Sequence, residues 1–253
     1  LPLLDISPWL FLVLTLAAFV AGFISAIAGS GGLIILPVLL GAGIPPLHAL
    51  ATNKFQSVFG TLSSALNFLR KGHIDLGNMK ASLCYAFIGA CFGTLAVQQM
   101  DPEWLRRLLP PLLIALALYV AFSPRMSDID SEPRWSERHF DPVIGGGIGF
   151  YGGFLGPAMG SFYAVAFSSL RGFNLRKATA HTKPLVLITN TTSMVIFMLG
   201  GYIIWPLAIA MAVAQFVGAR FGSQMVIHRG AALIQPVLVV MIVLLAIKLM
   251  VFP

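Results

Sequence analysis

Charge is the property this chain has least of: 16 basic and nine acidic side chains in 253 residues, 10% in all, against roughly 25% in soluble domains. That scarcity excludes an ordinary soluble enzyme. Cysteine is almost missing as well, and Cys84 and Cys91, seven apart in one apolar run, fit core thiols rather than a disulfide or a metal centre. No His-Glu-x-x-His, no Cys/His grouping, no pair of acids in apolar sequence and no Walker motif occurs. The chain is therefore read as a non-enzyme with no catalytic residues, no metal and no cofactor. Its formal charge of +7 is spread over isolated basic residues without a stripe, which excludes a nucleic-acid partner.

Apolar sequence fills the space that charge leaves. Hydrophobic residues make up 58% of the chain; Ile6 to Asn53 is 48 residues without a formal charge and Pro184 to Ala219 another 36. About 20 such residues already span a bilayer, and the runs do not alternate as barrel strands would. The fold class is an all-α polytopic membrane protein with the lipid bilayer as its partner. Residues 8–28 mimic a signal peptide, but they belong to the repeat described next and are read as mature structure.

Laid over the first half, the second repeats it. Gly29 meets Gly156, and from Lys54 and Lys183 onward a constant spacing of 129 brings Gly72 to Gly201, Gly89 to Gly218 and Gly93 to Gly222. We divide the single transmembrane domain into a first repeat (1–123), a polar linker (124–141) and a second repeat (142–253). Each repeat reads as a Gly/Pro-interrupted apolar segment followed by three helices, near 48–69, 79–99 and 106–122, then 178–199, 204–226 and 230–251, about eight helical segments in all. Residues 142–170 would make a rod of about 43 Å against a hydrocarbon core of about 30 Å, with Gly152, Gly153, Gly156, Pro157 and Gly160 in its middle. A broken or re-entrant segment is expected there.

Loop charge supports that topology. If both interrupted segments crossed once, the 14 basic residues other than Lys54 and Lys183 would divide seven against seven. If both dip in and return, 11 fall on one face, and only Arg106, Arg107 and Lys248 oppose them. The positive-inside rule then places the linker in the cytoplasm and both termini outside. Three crossings per copy make the repeats inverted, the arrangement secondary transporters use for alternating access.

The candidate substrate-binding residues lie at and just after the interruptions. Gly29, Ser30, Gly31 and Gly32 break the first copy, Gly156 and Pro157 the second, and freed helix N-termini at such breaks attract anions. Thr52, Asn53, Lys54 and Gln56, matched by His181, Thr182 and Lys183, supply a duplicated lysine with polar neighbours; Asn190 follows seven residues after Lys183 in the same helix. A lysine at membrane depth costs about 2.5 to 3.5 kcal/mol on insertion scales. A matched pair is therefore expected to face an anion, while Pro184 marks a kink or start in the second lysine helix.

These residues carry a family resemblance. Gly22-Phe-Ile-Ser-Ala-Ile-Ala-Gly-Ser-Gly-Gly-Leu-Ile-Ile-Leu-Pro37, Gly43-Ile-Pro-Pro46 and Ala51-Thr-Asn53 resemble the TauE/SafE family of sulfite and sulfonate exporters over essentially the whole chain. Ser30 and Ala51 stand where that pattern often has glycine. The resemblance implies a bacterial inner-membrane permease moving a small anionic sulfur compound such as sulfite, sulfoacetate or thiosulfate outward. A permease or channel for another small anion, such as a carboxylate, is the alternative, and homo-oligomerisation is left open.

Overall fold

The computed structural model describes residues 6–121 and 129–229, and all the regular structure in them is helical. The first interrupted segment forms α1 (Pro8–Ala28) and α2 (Gly32–Gly41), followed by α3 (Pro46–Arg70), α4 (Lys80–Gln98) and α5 (Pro102–Ala121). The second begins with α6 (Glu137–Phe140), passes through a π-helical turn at Asp141–Gly146 into α7 (Gly147–Phe154), and returns as α8 (Met159–Arg171). Then come α9 (Leu175–Leu199) and α10 (Trp205–Arg229); the expected helix at 230–251 lies outside the described residues. The arm therefore starts at Glu137, within the stretch read as linker.

Local chemistry sets these boundaries. Ser7 caps α1 by accepting from Leu10 N at 3.3 Å, ahead of Pro8 at the first helical position. Asp101 caps α5 through Glu103 N at 2.8 Å and Trp104 N at 3.1 Å, and Asn174 caps α9 through Lys177 N at 2.9 Å. Pro184 neither starts nor ends α9, which is helical from Leu175 onward, so the helix simply forgoes one backbone bond there.

Helix directions follow from which residues touch. Phe19 and Phe23 of α1 lie against Gly218 and Gly222 of α10, so α1 and α10 run parallel. Thr52 meets Ile204 and Asn67 meets Ser223, so α3 is parallel to α10 as well. Two parallel helices joined by α2 require α2 to carry the chain back, which makes α1–α2 a hairpin. The second half repeats the logic. Gly89 and Gly93 of α4 press on Gly146, Phe150 and Phe154 of the α6–α7 arm in parallel register, and Thr94 bonds Ser193 at 2.8 Å while Gln98 lies at Gly200, aligning α4 with α9. Hence α8 is the return arm. The turn at 200–204 reverses the chain between α9 and α10, so α3 and α9, the corresponding helices of the two copies, point in opposite directions. The repeats are inverted.

The outgoing arm of each hairpin, α1 or α7, packs chiefly on the other copy, while the return arm α8 lies on α9 of its own. Glycines at matched positions, Gly89 with Gly218 and Gly93 with Gly222, provide the flat surfaces: a Cβ at any of the four would collide with the backbone of the opposing arm. Leu12, Leu16 and Val20 of α1 and Ile209, Val213 and Phe216 of α10 face outward, as lipid-contacting sides do. Trp9, Trp104 and Trp205 are exposed at the starts of α1, α5 and α10, three helices that begin on the same side, and so mark one membrane interface. Cys84 is also exposed, on α4, rather than in the core, and neither cysteine is bridged.

On the opposite side the segment before α6 is strapped to the turn between α8 and α9. Ser131 N donates to Gly172 O at 2.7 Å, Arg134 N to Leu170 O at 2.9 Å and Asn174 N to Asp130 Oδ1 at 2.7 Å, while Arg171 pairs with Glu137 at 2.6 Å. The Asn174 N–H, aided by the Lys177 ammonium at 3.4 Å, holds the Asp130 carboxyl below the usual Asp range. A depressed carboxyl stabilises the strap above the unfolded Asp pKa and loses that contribution as pH falls through the folded value. Asp130→Asn is expected to raise amide exchange in residues 129–135 at neutral pH and to leave exchange at acid pH unchanged. Hydrogen exchange of the two proteins at both pH values checks this.

Candidate functional site

Both hairpins bend at a glycine in the left-handed region, Gly29 at φ 75° and Gly156 at φ 94°, a conformation that a Cβ would strain. Ala158, at φ 60°, is the one non-glycine with positive φ among the described residues and sits inside the second bend. Stored backbone strain of this kind concentrates at working parts of proteins.

The two bends touch. A Cβ on Gly29 would stand 2.7 Å from Gly160 Cα, and one on Gly160 would stand 2.7 Å from Gly29 Cα, so the crossing is backbone against backbone. Gly32 faces Pro157, and Gly31 folds back against Ala21 and Ser25 of α1. Ser161 Oγ donates to Ala28 O at 2.6 Å and lies 2.8 Å from Ser30 Oγ, linking the end of the first arm to the start of α8. Tyr151 OH closes the second bend on Pro157 O at 2.6 Å.

The duplicated lysines converge on these bends from the next helices. Lys54 and Lys183 are each the ninth residue of a 25-residue helix, and are only 1% and 3% exposed. That depth removes the option of snorkelling to an interface. Lys54 Nζ donates to Gly152 O in the last turn of α7 and reaches Asn190 Oδ1 at 3.5 Å. Lys183 Nζ donates to Ser25 O in the last turn of α1 at 3.0 Å. Ser25 and Gly152 are separated by the same 127 residues as Gly29 and Gly156, so each ammonium grips the equivalent carbonyl on the other copy's arm. The ends they grip are carbonyl ends, where a helix dipole favours cations. Gly156 leaves room for the contact, because its Cβ would occupy the place of the Lys54 ammonium.

Among the described residues no carboxylate answers these two charges. Among the described residues the ion pairs are Arg107–Glu103, Arg171–Glu137 and Lys177–Asp130, and the one buried carboxylate, Asp141, holds the Ser82 hydroxyl. Six ammonium N–H bonds are available. Three find oxygens among the described residues.

The other sequence candidates divide. Asn53 brings its Nδ2 to within 3.8 Å of the Cβ position of Gly32, and so joins the bends, as Asn190 does through Lys54. Gln56 donates to Asn53 Oδ1 at 3.3 Å and keeps its Oε1 buried and unpaired. Thr52 turns away and accepts from Ile204 N at 3.4 Å; Thr182 bonds its own helix at Thr179 O. His181 is directed elsewhere, with Nδ1 on Lys177 O at 2.8 Å and its ring against Phe167 and Phe173. Sequence reasoning missed Ser161 and Ser25, and saw Gly152 only as part of the interruption. Ser161 follows the Gly160 of the interruption and could have been found there, whereas the other two contribute only backbone carbonyls, which no residue type advertises.

Comparison with known proteins gives the family to which this sequence is similar. The family profile described as "Sulfite exporter TauE/SafE" matches residues 14–249. The "Probable membrane transporter protein YfcA" of Escherichia coli K12 is 43% identical over 245 residues, covering 97% of this chain and 91% of that protein. A "Probable membrane transporter protein" of Haemophilus influenzae is 41% identical over 246 residues, covering 97% and 96%. No solved structure matches the chain.

Proposed function

The chain belongs to the TauE/SafE family and is a membrane transporter, and from that premise we propose that it is a secondary permease for small sulfur oxyanions, of the sulfite, sulfoacetate and thiosulfate type, working outward across the bacterial inner membrane. The observation that carries this reading is the pair of buried ammonium groups which, among the described residues, meet three oxygens and no carboxylate. Buried charge without an opposite charge is costly, and a doubly liganded oxyanion would supply both the charge and further acceptors. Asn53 and Asn190 would orient its oxygens. The family name carries the sulfur chemistry and the outward direction. The 11-to-3 basic asymmetry of the loops supports a cytoplasmic linker and periplasmic termini.

Transport then works by rocking one hairpin against the other about the Gly29–Gly160 crossing. Each lysine belongs to one copy and holds the arm of the other, so an anion that draws the ammonium groups toward itself loosens both grips at once. Such coupling ties occupancy to conformation.

The test is the thermal midpoint of the purified protein against sulfite, thiosulfate, sulfoacetate, taurine, sulfate and acetate. A ligand of the native state raises it by adding stability, about 2.7 kcal/mol at a hundredfold excess over Kd. Stabilisation by a sulfur oxyanion and not by acetate is the expected result. Stabilisation by acetate alone would move the reading to a carboxylate permease, and no response to any anion would remove the proposal.

A further inference from the structure

Polar side chains follow the contact between α3 and α10 away from the bends. On α3, Gln56, Gly60, Ser63 and Asn67 recur every three to four residues and so share one face. Gln56 opens the stripe with its bond to Asn53 at the bends. Gln215 of α10 meets the stripe from the other side, wedged between two glycines: a Cβ on Gly22 of α1, or one on Gly60, would stand 2.7 Å from its Cγ. Farther along, Asn67 donates to Ser223 Oγ at 2.9 Å and accepts from Arg220 Nη1 at 2.7 Å. Asn53 and Asn67 are 14 residues apart on one helix, about 21 Å. The stripe therefore leads from the bends toward the side on which α3 and α10 end, the side of the linker.

This stripe is not satisfied from within. Gln56 Oε1, Ser63 Oγ and Gln215 Oε1 are buried and have no hydrogen-bond partner among the described residues, although buried polar atoms are almost always paired with protein or water. Arg220 is half-buried within α10 and, among the described residues, meets no carboxylate. An arginine inside a spanning helix is costly and marks a working position. The repeat shows that packing does not call for these groups. In the spacing of 129, Gln56, Asn67, Gln215 and Arg220 correspond to Leu185, Ile196, Ala86 and Cys91. Ala86 fills the same contact as Gln215, because a Cβ on Gly149, the counterpart of Gly22, would stand 2.7 Å from Ala86 Cα. One seam closes with small and apolar side chains; the other holds amides and a guanidinium.

We propose that the α3–α10 contact is the half-pathway joining the bend site to the linker side, with Arg220 collecting the anion at its mouth and the amides of Gln215 and Gln56 passing it to Asn53 and the lysines. A positive charge at the mouth of a low-dielectric passage raises anion capture by about 10 to 10³-fold. Neutral amides suit the middle of the route. Each offers N–H bonds to an anion and a carbonyl to water, so it steadies the passing charge without holding it as a further cation would. Water in the seam would also satisfy the three unpaired atoms. Loop charges put the linker in the cytoplasm, so this route loads the permease for outward movement. The inference deepens the permease reading and rests on it.

Two measurements on the full chain in inverted membrane vesicles, whose outer face is the cytoplasmic one, test this. Thiols react as thiolates, which need water. In a Cys84→Ser, Cys91→Ala background, Ser63→Cys is expected to lose its free thiol to the anionic, membrane-impermeant reagent 2-sulfonatoethyl methanethiosulfonate, while Val213→Cys on the lipid face keeps its own. An untouched thiol at position 63 would show a dry seam and overturn the proposal. The second measurement is uptake of labelled sulfoacetate. Below saturation, Arg220→Gln should lower the rate at least about tenfold and flatten its dependence on salt. Its maximal rate should stay, and Arg220→Lys should restore the loss. Gln215→Ala installs the residue that the other copy packs in the same place, and is expected to lower the maximal rate while the sulfoacetate-induced thermal shift stays. Rates unchanged in Arg220→Gln and Gln215→Ala, or an Arg220→Gln loss equal at all concentrations and salt strengths, overturn the assignment. Absence of uptake by the wild type counts against the permease reading instead, and the thiol reaction, which needs no transport, tells the two failures apart.

Discussion

Lys54→Met and Lys183→Met, made singly, are expected to give folded proteins whose thermal midpoint no longer rises with sulfite or thiosulfate. Two opposing effects keep the unliganded stability close to the parent's. Removing the ammonium recovers a burial cost of about 2.5 to 3.5 kcal/mol, and it forfeits charge-assisted bonds to Gly152 O and Asn190 Oδ1, or to Ser25 O, worth about 1.5 to 3 kcal/mol each. The anion has no such compensation. It loses a charged donor outright, about 1.5 to 3 kcal/mol, or roughly 10 to 150-fold in affinity per lysine. Methionine fills the stem's volume, so packing is preserved. A variant that stays fully responsive to the anion would show that the lysines only brace the carbonyl ends of the broken helices.

The largest effect on folding is expected at the crossing of the bends. Gly160→Ala puts a methyl 2.7 Å from Gly29 Cα and 2.9 Å from Gly29 O. Backbone cannot swing aside as a long side chain does, so the two hairpins must separate, at a cost of about 1 to 3 kcal/mol for overpacking alone. Gly29→Ala adds the strain of its positive φ, about 1 to 3 kcal/mol more. Gly147→Ala is the control: nothing lies within 4 Å of its Cβ position, and replacing a helical glycine there gains up to about 1 kcal/mol in helix propensity. Unfolding midpoints of the three proteins should fall in the order Gly147→Ala, Gly160→Ala, Gly29→Ala. Equal midpoints would mean that the bends do not bear on each other.

Much of this architecture could be read from spacing alone. A glycine needed for close approach must recur wherever the packing recurs, which is why Gly89 and Gly93 matched Gly218 and Gly222, and why Gly29 matched Gly156, before any contact was known. The partners of those glycines were not legible. Packing of α1 on the opposite copy joins residues nearly 200 positions apart, Phe19 with Gly218 for example, and nothing local encodes that choice. Lysine depth was visible in the flanking apolar residues; its direction was not, because the acceptors are carbonyls. His181 shows the opposite failure. It sits two positions before Lys183 in the motif, but two residues along a helix turn a side chain to the far face, toward Phe167 and Phe173 and away from the bends. Pro184, read as a kink or a start, does not start α9 but lies inside it, because one missing bond does not outweigh a helix packed along its length.

Exchange of arms between the copies also governs how the protein is made. α1 leaves the ribosome well before α10, the helix on which it seats. Synthesis runs at about 5 to 20 residues per second, so α1 waits in the bilayer for roughly 10 to 40 seconds before Gly218 and Gly222 arrive to receive it. Neither half can reach its final packing by itself, and an ancestral single copy would have met the same difficulty unless a second chain, inserted the other way up, supplied the missing seat. Fusion of two such chains turns a meeting between molecules into one within a molecule.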